Sequence, residues 1–237
     1  AGVHPDDIES LEDIRKLPFV TKDELRREQE EYGQFGRLAV APRDDWRELH
    51  PSTGTTGRQV GTLWTRQDVA NITDFTARLM WAQGIRPAHT IQNAFSYGLW
   101  VSGIAVHYAA AKLGCFVIPI GAISSDKQIE LFREWKSDVI FATPSFGLYI
   151  AEKLAARGIS AHDLSLSIGS FGGEPGAEVD ATRQLLEEGL GIDAYDIYGL
   201  AEVGPTMAAE CVEKAGLHWT EDHHLVEIVD PVMWASD

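Results

Sequence analysis

Cysteine and basic residues are scarce in this sequence. Two cysteines, Cys115 and Cys211, occur among 237 residues, too few for a disulfide framework, and this usage favours a reducing cytoplasm. Lysine and arginine number 20 against 36 acidic residues, which gives a formal net charge of −16. Such a charge argues against nucleic acid and anionic membrane surfaces as partners. The net charge still allows an anionic nucleotide as a ligand. Salt screens distant surface charges beyond about 8 Å, whereas a charge-assisted hydrogen bond inside the site contributes roughly 1.5–3 kcal/mol.

Long apolar runs are also lacking. No stretch approaches the ~18 consecutive apolar residues of a membrane-spanning helix, and no signal peptide opens the chain. The first residue is Ala1 rather than Met, and the last strand-like run stops abruptly at Trp234. We therefore expect a chain without a membrane partner that is truncated at both ends.

What is present is an alternation of helical and strand-like segments. Apolar spacing predicts helices at Pro5–Lys16, Thr21–Glu31, Arg66–Gln83, Tyr97–Leu113, Ser125–Lys136, Phe146–Ala156 and Glu178–Glu188. Short runs predict strands at Trp46–Leu49, Gly61–Thr65, Ile91–Phe95, Cys115–Ile120, Val139–Thr143, Leu166–Phe171, Asp193–Tyr198 and Leu225–Val229. Such alternation is typical of βαβ units, so we predict an α/β fold with a largely parallel, helix-covered sheet. Residues 1–45 are predicted to form a helical lead-in to the α/β domain at 46–237.

The segment between the first two strands carries the clearest chemical signal. It combines glycines, hydroxyl groups and one cation: Ser52, Thr53, Gly54, Thr55, Thr56, Gly57 and Arg58. Glycine lets the backbone approach a ligand closely, and successive backbone N–H groups form an anion-binding concavity. Arg58 can bind a phosphate through two hydrogen bonds. The spacing is neither that of a Walker A loop nor G-x-G-x-x-G. We interpret the loop as a phosphate grip, with a polar hairpin connection as the alternative.

Two further clusters follow predicted strands, where ligands collect in open α/β sheets. Ser170–Pro175 offers a glycine floor with a carboxylate and a rigid proline, and its structural alternative is the entry to a helix. Asp196–Glu202 offers a ring, Tyr198, that can stack on a base, and a carboxylate, Glu202, that can hold Mg²⁺. The alternative for Tyr198 is a core tyrosine. Three such clusters at strand termini together favour a nucleotide site.

Three segments resemble the nucleotide motifs of the adenylate-forming acyl-CoA synthetase superfamily: Ser52–Gly57, Phe171–Pro175 and Asp196–Glu202. The stretches Ile8–Phe19, Asn93–Trp100 and Glu210–His223 narrow the resemblance to phenylacetate–CoA ligases. The resemblance runs along almost the whole chain. It implies the large N-terminal domain of such an enzyme, with the nucleotide- and acyl-binding portion at residues 46–237 and the small C-terminal domain absent.

The resemblance also implies roles for individual residues. The loop, with Thr55 and Arg58 in catalytic positions, would grip the β- and γ-phosphates of ATP, and Glu202 would serve catalysis by binding Mg²⁺. Asp196 would lie near the adenine edge, and Tyr198 would stack on adenine. The nucleotide-binding residues are then Ser52, Thr53, Gly54, Thr55, Thr56, Gly57, Gly173, Glu174, Pro175, Asp196, Tyr198 and Gly199.

An acyl pocket is implied beside the nucleotide. The residues that would wall it are Phe95, Tyr97, Trp100, Ala142 and Gly172. Trp100 stands where phenylacetate enzymes commonly carry Phe, which would narrow the pocket and keeps a substrate other than phenylacetate open. The structural alternative is a core tryptophan on a buried helix.

Cys211 and His218 raise the question of a zinc site, which some relatives complete with downstream cysteines. A structural site needs four ligands, and this chain offers two plausible ones. A buried cysteine and surface histidines are therefore the favoured interpretation, with Zn²⁺ as the alternative.

The implied function is activation of an aromatic, phenylacetate-like carboxylic acid to an acyl-adenylate and then to its coenzyme A thioester, with ATP, Mg²⁺ and CoA. Two alternatives stay open: a non-catalytic module that binds ATP or acyl-adenylate, and an adenylating enzyme that loads a carrier-protein thiol. The expected partner is a small-molecule carboxylic acid, and homodimerisation is left open.

Overall fold

Six α-helices and nine β-strands are found in the described residues, 2–52 and 58–230 of a computed structural model. The helices are α1 (Lys22–Tyr32), α2 (Arg66–Ala82), α3 (Val101–Leu113), α4 (Ser125–Trp135), α5 (Pro144–Ala156) and α6 (Asp180–Leu190). The strands are β1 (Trp46–Pro51), β2 (Gly61–Thr65), β3 (Thr90–Asn93), β4 (Phe116–Ile118), β5 (Val139–Ala142), β6 (Ile168–Phe171), β7 (Asp193–Leu200), β8 (Gly204–Glu210) and β9 (Leu217–Trp219).

A seven-stranded sheet lies at the centre, in the order β4-β3-β5-β6-β7-β8-β9. The strands from β4 to β7 pair in parallel, and β8 and β9 continue the sheet with antiparallel pairing. Strands β1 and β2 form a separate antiparallel hairpin. The prediction of an α/β fold with a largely parallel sheet is confirmed.

Helices cover both faces of this sheet, and its central strand β5 is apolar on both sides, as is typical of parallel sheets. In β5, Val139 and Phe141 point into a cluster with α2 and α3, whereas Ile140 and Ala142 point into a second cluster with α4, α5 and α6. All four side chains are almost fully buried. None of the helices in the described ranges is long and apolar enough to span a membrane.

The lead-in differs from its prediction at the first helix. Residues 5–16 form two short 3₁₀ helices, Pro5–Asp7 and Leu11–Lys16, instead of one α-helix. Ser10 separates them, because its N–H donates to the Asp13 carboxylate at 2.9 Å and starts a new helical turn. Helix α1 agrees with its prediction, including the Thr21 capping box. The domain boundary at residue 45 stays a prediction.

The end of the sheet also differs. The predicted strand Leu225–Val229 is wrong, since this segment has no regular structure and Ile228 is fully exposed. The sheet instead closes with β8 and β9, which sequence periodicity missed. Helix α3 begins at Val101 rather than Tyr97, and the boundaries of the strands and helices between β1 and β7 otherwise shift by one or two residues.

The second core cluster offers a test of the packing. Phe132 on α4 is 1% exposed, so Phe132→Ala should lower the free energy of unfolding by roughly 3–5 kcal/mol through lost burial and the cavity left behind. The matched control is Phe116→Ala at a 58% exposed ring, which should change it far less. Urea unfolding measures both; equal losses would contradict this packing.

Candidate functional site

Several of the predicted site residues lie close together where β6 and β7 end. Strand β6 ends at Phe171 and β7 at Leu200. An added Cβ at Gly172 would lie 2.5 Å from the Ile197 carbonyl oxygen, so only glycine lets the loop after β6 pass this close to β7. Side chains alternate along β7: Asp196 and Tyr198 line one cavity, and Ile197 lines another together with the backbone of Gly199.

The central cavity, of about 160 Å³, brings together residues from five distant segments. Its lining includes Lys22, Ser52, Phe95, Trp100, Gly173, Gly199 and Glu202. All of these except Lys22 carry predicted nucleotide, metal or acyl roles. Lys22 comes from the lead-in, and its only local signal in the sequence is its place in the first turn of the capped helix α1.

Glu202 lies in the turn between β7 and β8, with 15% of its side chain exposed. The ammonium of Lys22 lies 2.8 Å from its Oε1. The same oxygen has no well-aligned hydrogen-bond donor among the described residues, so the contact is an ion pair. The predicted metal ligand therefore already faces a cation from α1.

The phosphate-grip loop is closed at its base by Ser52. Its N–H donates to the Val60 carbonyl at 2.8 Å, and its hydroxyl accepts from the Val60 N–H at 3.0 Å. Residues 53–57, which include Thr53, Gly54, Thr55, Thr56 and Gly57, lie outside the described residues. The base of the loop lies at the end of β1, where Ser52 lines the central cavity.

Helix α1 contacts the exit of this loop. The Nε of Arg26 donates to the Arg58 carbonyl at 3.0 Å. One turn further, the Gln29 amide donates to the Gly61 carbonyl at 2.8 Å and accepts from the Gly61 N–H at 2.9 Å. Arg58 itself lines a groove beside Phe35 and the hairpin, and it is not among the described residues that line the central cavity.

An aromatic cavity of about 480 Å³ adjoins the central cavity and shares Phe95 and Trp100 with it. The two rings meet edge to face with centroids 4.8 Å apart. The indole also lies against Gly173, where an added Cβ would be 2.8 Å from Cζ2. Trp100 precedes α3 as its N-cap residue, so it is a cavity wall as well as a packing residue.

The other three predicted acyl residues lie nearby without lining the two cavities as far as the described residues show. Ala142 and Gly172 are buried at the ends of β5 and β6, where the Gly172 N–H donates to the Ala142 carbonyl. Tyr97 points toward Asn93, whose amide donates to the phenol oxygen at 2.8 Å. Burial raises the pKa of Tyr97 to about 12.

An acidic cavity of about 610 Å³ lies on the other side of β7. Tyr198, 41% exposed, stands at this cavity with its ring 5.7 Å from that of Trp219, so it is not a core tyrosine. Glu210 pairs with Arg183 at 2.8 Å and accepts the Asp196 N–H at 2.8 Å. Burial, together with the charges of Glu178 and Glu210, raises the pKa of Asp196 to about 7.

Glu174 and Pro175 form an exposed loop after β6. The Glu174 carboxylate accepts the Ser145 N–H at 2.8 Å, at the N-terminal turn of α5. Helix α6 begins only at Asp180, so the segment is a loop and not the first turn of a helix.

Cys211 and His218 do not assemble a metal centre. The Cys211 sulfur accepts the Glu213 N–H at 3.4 Å, and His218 is exposed on β9. The described residues contain no group of three His, Cys, Asp or Glu side chains that could hold a metal ion. The zinc alternative is therefore unsupported.

Comparisons with known proteins find relatives along almost the whole chain. The chain is 41% identical over 233 residues to phenylacetate-coenzyme A ligase of Pseudomonas putida, 43% over 232 residues to that of Aromatoleum evansii and 42% over 234 residues to that of Escherichia coli. The matches cover 97–98% of this chain. The chain belongs to the phenylacetate–CoA ligase family. No protein-family model matches it.

Members of this family are longer than the present chain, which spans about half the length of the curated relatives it matches. A solved 2-hydroxyisobutyryl-CoA ligase with bound 2-HIB-AMP and CoA superposes with a TM-score of 0.91 at 28% identity, over 98% of this chain and 55% of that one. A long-chain-fatty-acid-CoA ligase from Archaeoglobus fulgidus shares the fold at a TM-score of 0.62. The architecture is that of the N-terminal domain of adenylate-forming CoA ligases.

The raised pKa of Asp196 predicts a pH effect on stability. Between about pH 4 and 7 the folded protein keeps a proton that the unfolded chain has released. The contribution of Asp196 to the free energy of unfolding is thus largest below pH 4 and is lost as the pH rises through 7. As the pH rises from about 4 to 7, the free energy of unfolding of Asp196→Asn should therefore increase relative to that of the wild type.

Urea unfolding of both proteins from pH 4.5 to 8 measures the difference. Glu178→Gln removes one of the charges that raise this pKa and should move the window toward lower pH. If the free energies of unfolding of Asp196→Asn and the wild type changed with pH in the same way, the raised pKa of Asp196 would be contradicted.

Proposed function

We propose that the protein activates an aromatic, phenylacetate-like carboxylic acid with ATP, forming an acyl-adenylate and then a coenzyme A thioester. The chain would supply the nucleotide- and acid-binding portion. One observation carries the proposal: the central cavity joins Ser52 and Glu202, the phosphate and metal residues, to the aromatic pair Phe95 and Trp100. The names of the relatives and the adenylate and CoA in the 2-hydroxyisobutyryl-CoA ligase support it.

The donor set fits Mg²⁺ that arrives with ATP. This ion is usually bound by one or two carboxylates together with substrate phosphates. Glu202 is a mostly buried carboxylate that pairs with a cation, Lys22, so a positive charge is accommodated at this place. When bound, Mg²⁺ would neutralise charge on the phosphates during displacement at the α-phosphate.

The residues of this chain would then position the reactants. The loop based on Ser52 would hold the β- and γ-phosphates with its backbone N–H groups and with Thr55 and Arg58. Tyr198 would stack on adenine, Gly173–Pro175 would border the nucleotide, and Asp196 would lie near the adenine edge. Fixed donors around a developing charge lower the barrier without a covalent intermediate on the protein.

The acid would lie in the aromatic cavity with its carboxylate toward the central cavity. Phe95 and Trp100 form the wall shared by the two cavities, so an aryl group on one side can place its carboxylate on the other. Aromatic walls favour an aryl ring by about 0.5–1.5 kcal/mol beyond area burial.

Two alternatives are separated by experiment. A module that binds ATP or acyl-adenylate without turnover would show ATP binding but no carboxylate-dependent exchange of pyrophosphate into ATP. An enzyme that loads a carrier protein would show this exchange and no thioester with CoA. The cytoplasmic location and the homodimer stay predictions.

Glu202→Gln should weaken Mg²⁺-dependent ATP binding by roughly 10- to 100-fold, because a charged contact of about 1.5–3 kcal/mol is lost. Isothermal calorimetry with and without Mg²⁺ measures it. Glu152→Gln, at an exposed carboxylate on α5, is the matched control and should bind as the wild type does. Equal Mg²⁺-dependent affinities in all three proteins would remove Glu202 from the metal role.

Trp100→Phe should shift kcat/KM about tenfold toward bulkier aryl acids, since size discrimination in apolar pockets is roughly 1–3 kcal/mol per methylene. Adenylate formation would be compared across benzoate, phenylacetate, hydroxylated analogues and short aliphatic acids. Trp135→Phe, at a half-exposed ring, is the control. An unchanged preference order with a lowered Tm would mean that Trp100 serves packing only.

A further inference from the structure

Helix α1 contacts the candidate site at three points along one of its faces. Lys22, Arg26 and Gln29 are spaced i, i+4 and i+7, which places them on the same side of a helix. Lys22 pairs with Glu202, Arg26 holds the Arg58 carbonyl, and Gln29 holds both backbone groups of Gly61. One short helix thus joins the exit of the phosphate-grip loop to the predicted metal carboxylate.

This arrangement fixes where the Lys22 ammonium can reach. It lies one helical turn from Arg26, whose side chain is bound to the last residue of the loop. It also lines the central cavity together with Ser52 and Glu202. A group held between the loop and Glu202 therefore lies within the range of this flexible side chain, which is 45% exposed.

Lys22 and the proposed Mg²⁺ ion compete for the same carboxylate, that of Glu202. A divalent ion that coordinates Glu202 takes the oxygens that Lys22 now faces, and the two cations repel each other. The same complex brings a triphosphate with several negative charges into the cavity. Lysine is a compact point charge on a flexible four-carbon stem and binds phosphates in this way.

We propose that Lys22 is a nucleotide-binding residue. It holds the Glu202 carboxylate in the free protein, and it transfers to a β- or γ-phosphate oxygen of ATP when Mg²⁺ binds Glu202. The inference rests on the proposed function, because it takes ATP as the ligand of the central cavity. It adds to that function a cation from the lead-in, upstream of the three nucleotide motifs.

Calorimetry of Mg–ATP and of AMP with wild type, Lys22→Gln and Lys22→Arg tests the proposal. Lys22→Gln should weaken Mg–ATP binding about tenfold and leave AMP binding unchanged, because AMP lacks the β- and γ-phosphates. Lys22→Arg should restore part of the loss. The matched control is Lys16→Gln, which removes another lysine of the lead-in from an ion pair, with Asp13 at 2.6 Å.

Melting temperatures of the same proteins separate binding from structure. Equal losses for ATP and AMP would overturn the assignment to the β- and γ-phosphates, and so would a loss that Lys16→Gln shares. Unchanged Mg–ATP binding in Lys22→Gln, with normal binding by the wild type, would overturn the role of Lys22 alone. A wild type that binds no Mg–ATP would overturn the proposed function and this inference with it.

Discussion

The candidate site depends on backbone contacts at the carboxyl ends of β6 and β7 that tolerate no side chain. A Cβ at Gly199 would lie 2.2 Å from the Pro205 carbonyl oxygen, as Gly172 would meet Ile197. These two glycines let the loop after β6 lie on β7 and let β8 fold back along β7. The turn that carries Glu202 and the loop that faces Trp100 are thereby held within one small cavity. The geometry of the central cavity therefore requires glycine at positions 172 and 199.

Cations are few in this acidic chain, and their positions determine the electrostatics of the site. Lys22 neutralises Glu202 on one side of β7, and Arg183 pairs with Glu210 on the other. Asp196 is half-buried beside Glu178 and Glu210, and together burial and these two charges raise its pKa against the opposing effect of Arg183. Its carboxyl group therefore keeps its proton to a much higher pH than usual. Two basic side chains thus face the carboxylates on the two sides of β7.

The sequence was most informative where one physical pattern acted alone. Continuous apolar runs located β5, which is buried on both faces, and most of α3, whose buried residues pack into the core. Strand β8 escaped because Gly204, Pro205 and two alanines have low strand propensity, and burial on both faces overrides that preference. The site motifs were readable as local spacing. The position of Lys22 in the site could not be predicted in this way, because it depends on a contact with Glu202, which is far away in the sequence. Loop residues 53–57 lie outside the described structure.

The contact between Lys22 and Glu202 has a consequence for how the site is made. The two residues are near opposite ends of the described chain, so their pairing is among the least local contacts in the fold, and such contacts form late because long loops must first close. During synthesis α1 emerges early and must wait for the turn after β7. In a partly synthesised chain the central cavity therefore stays incomplete until β7 and the turn that carries Glu202 have joined the sheet.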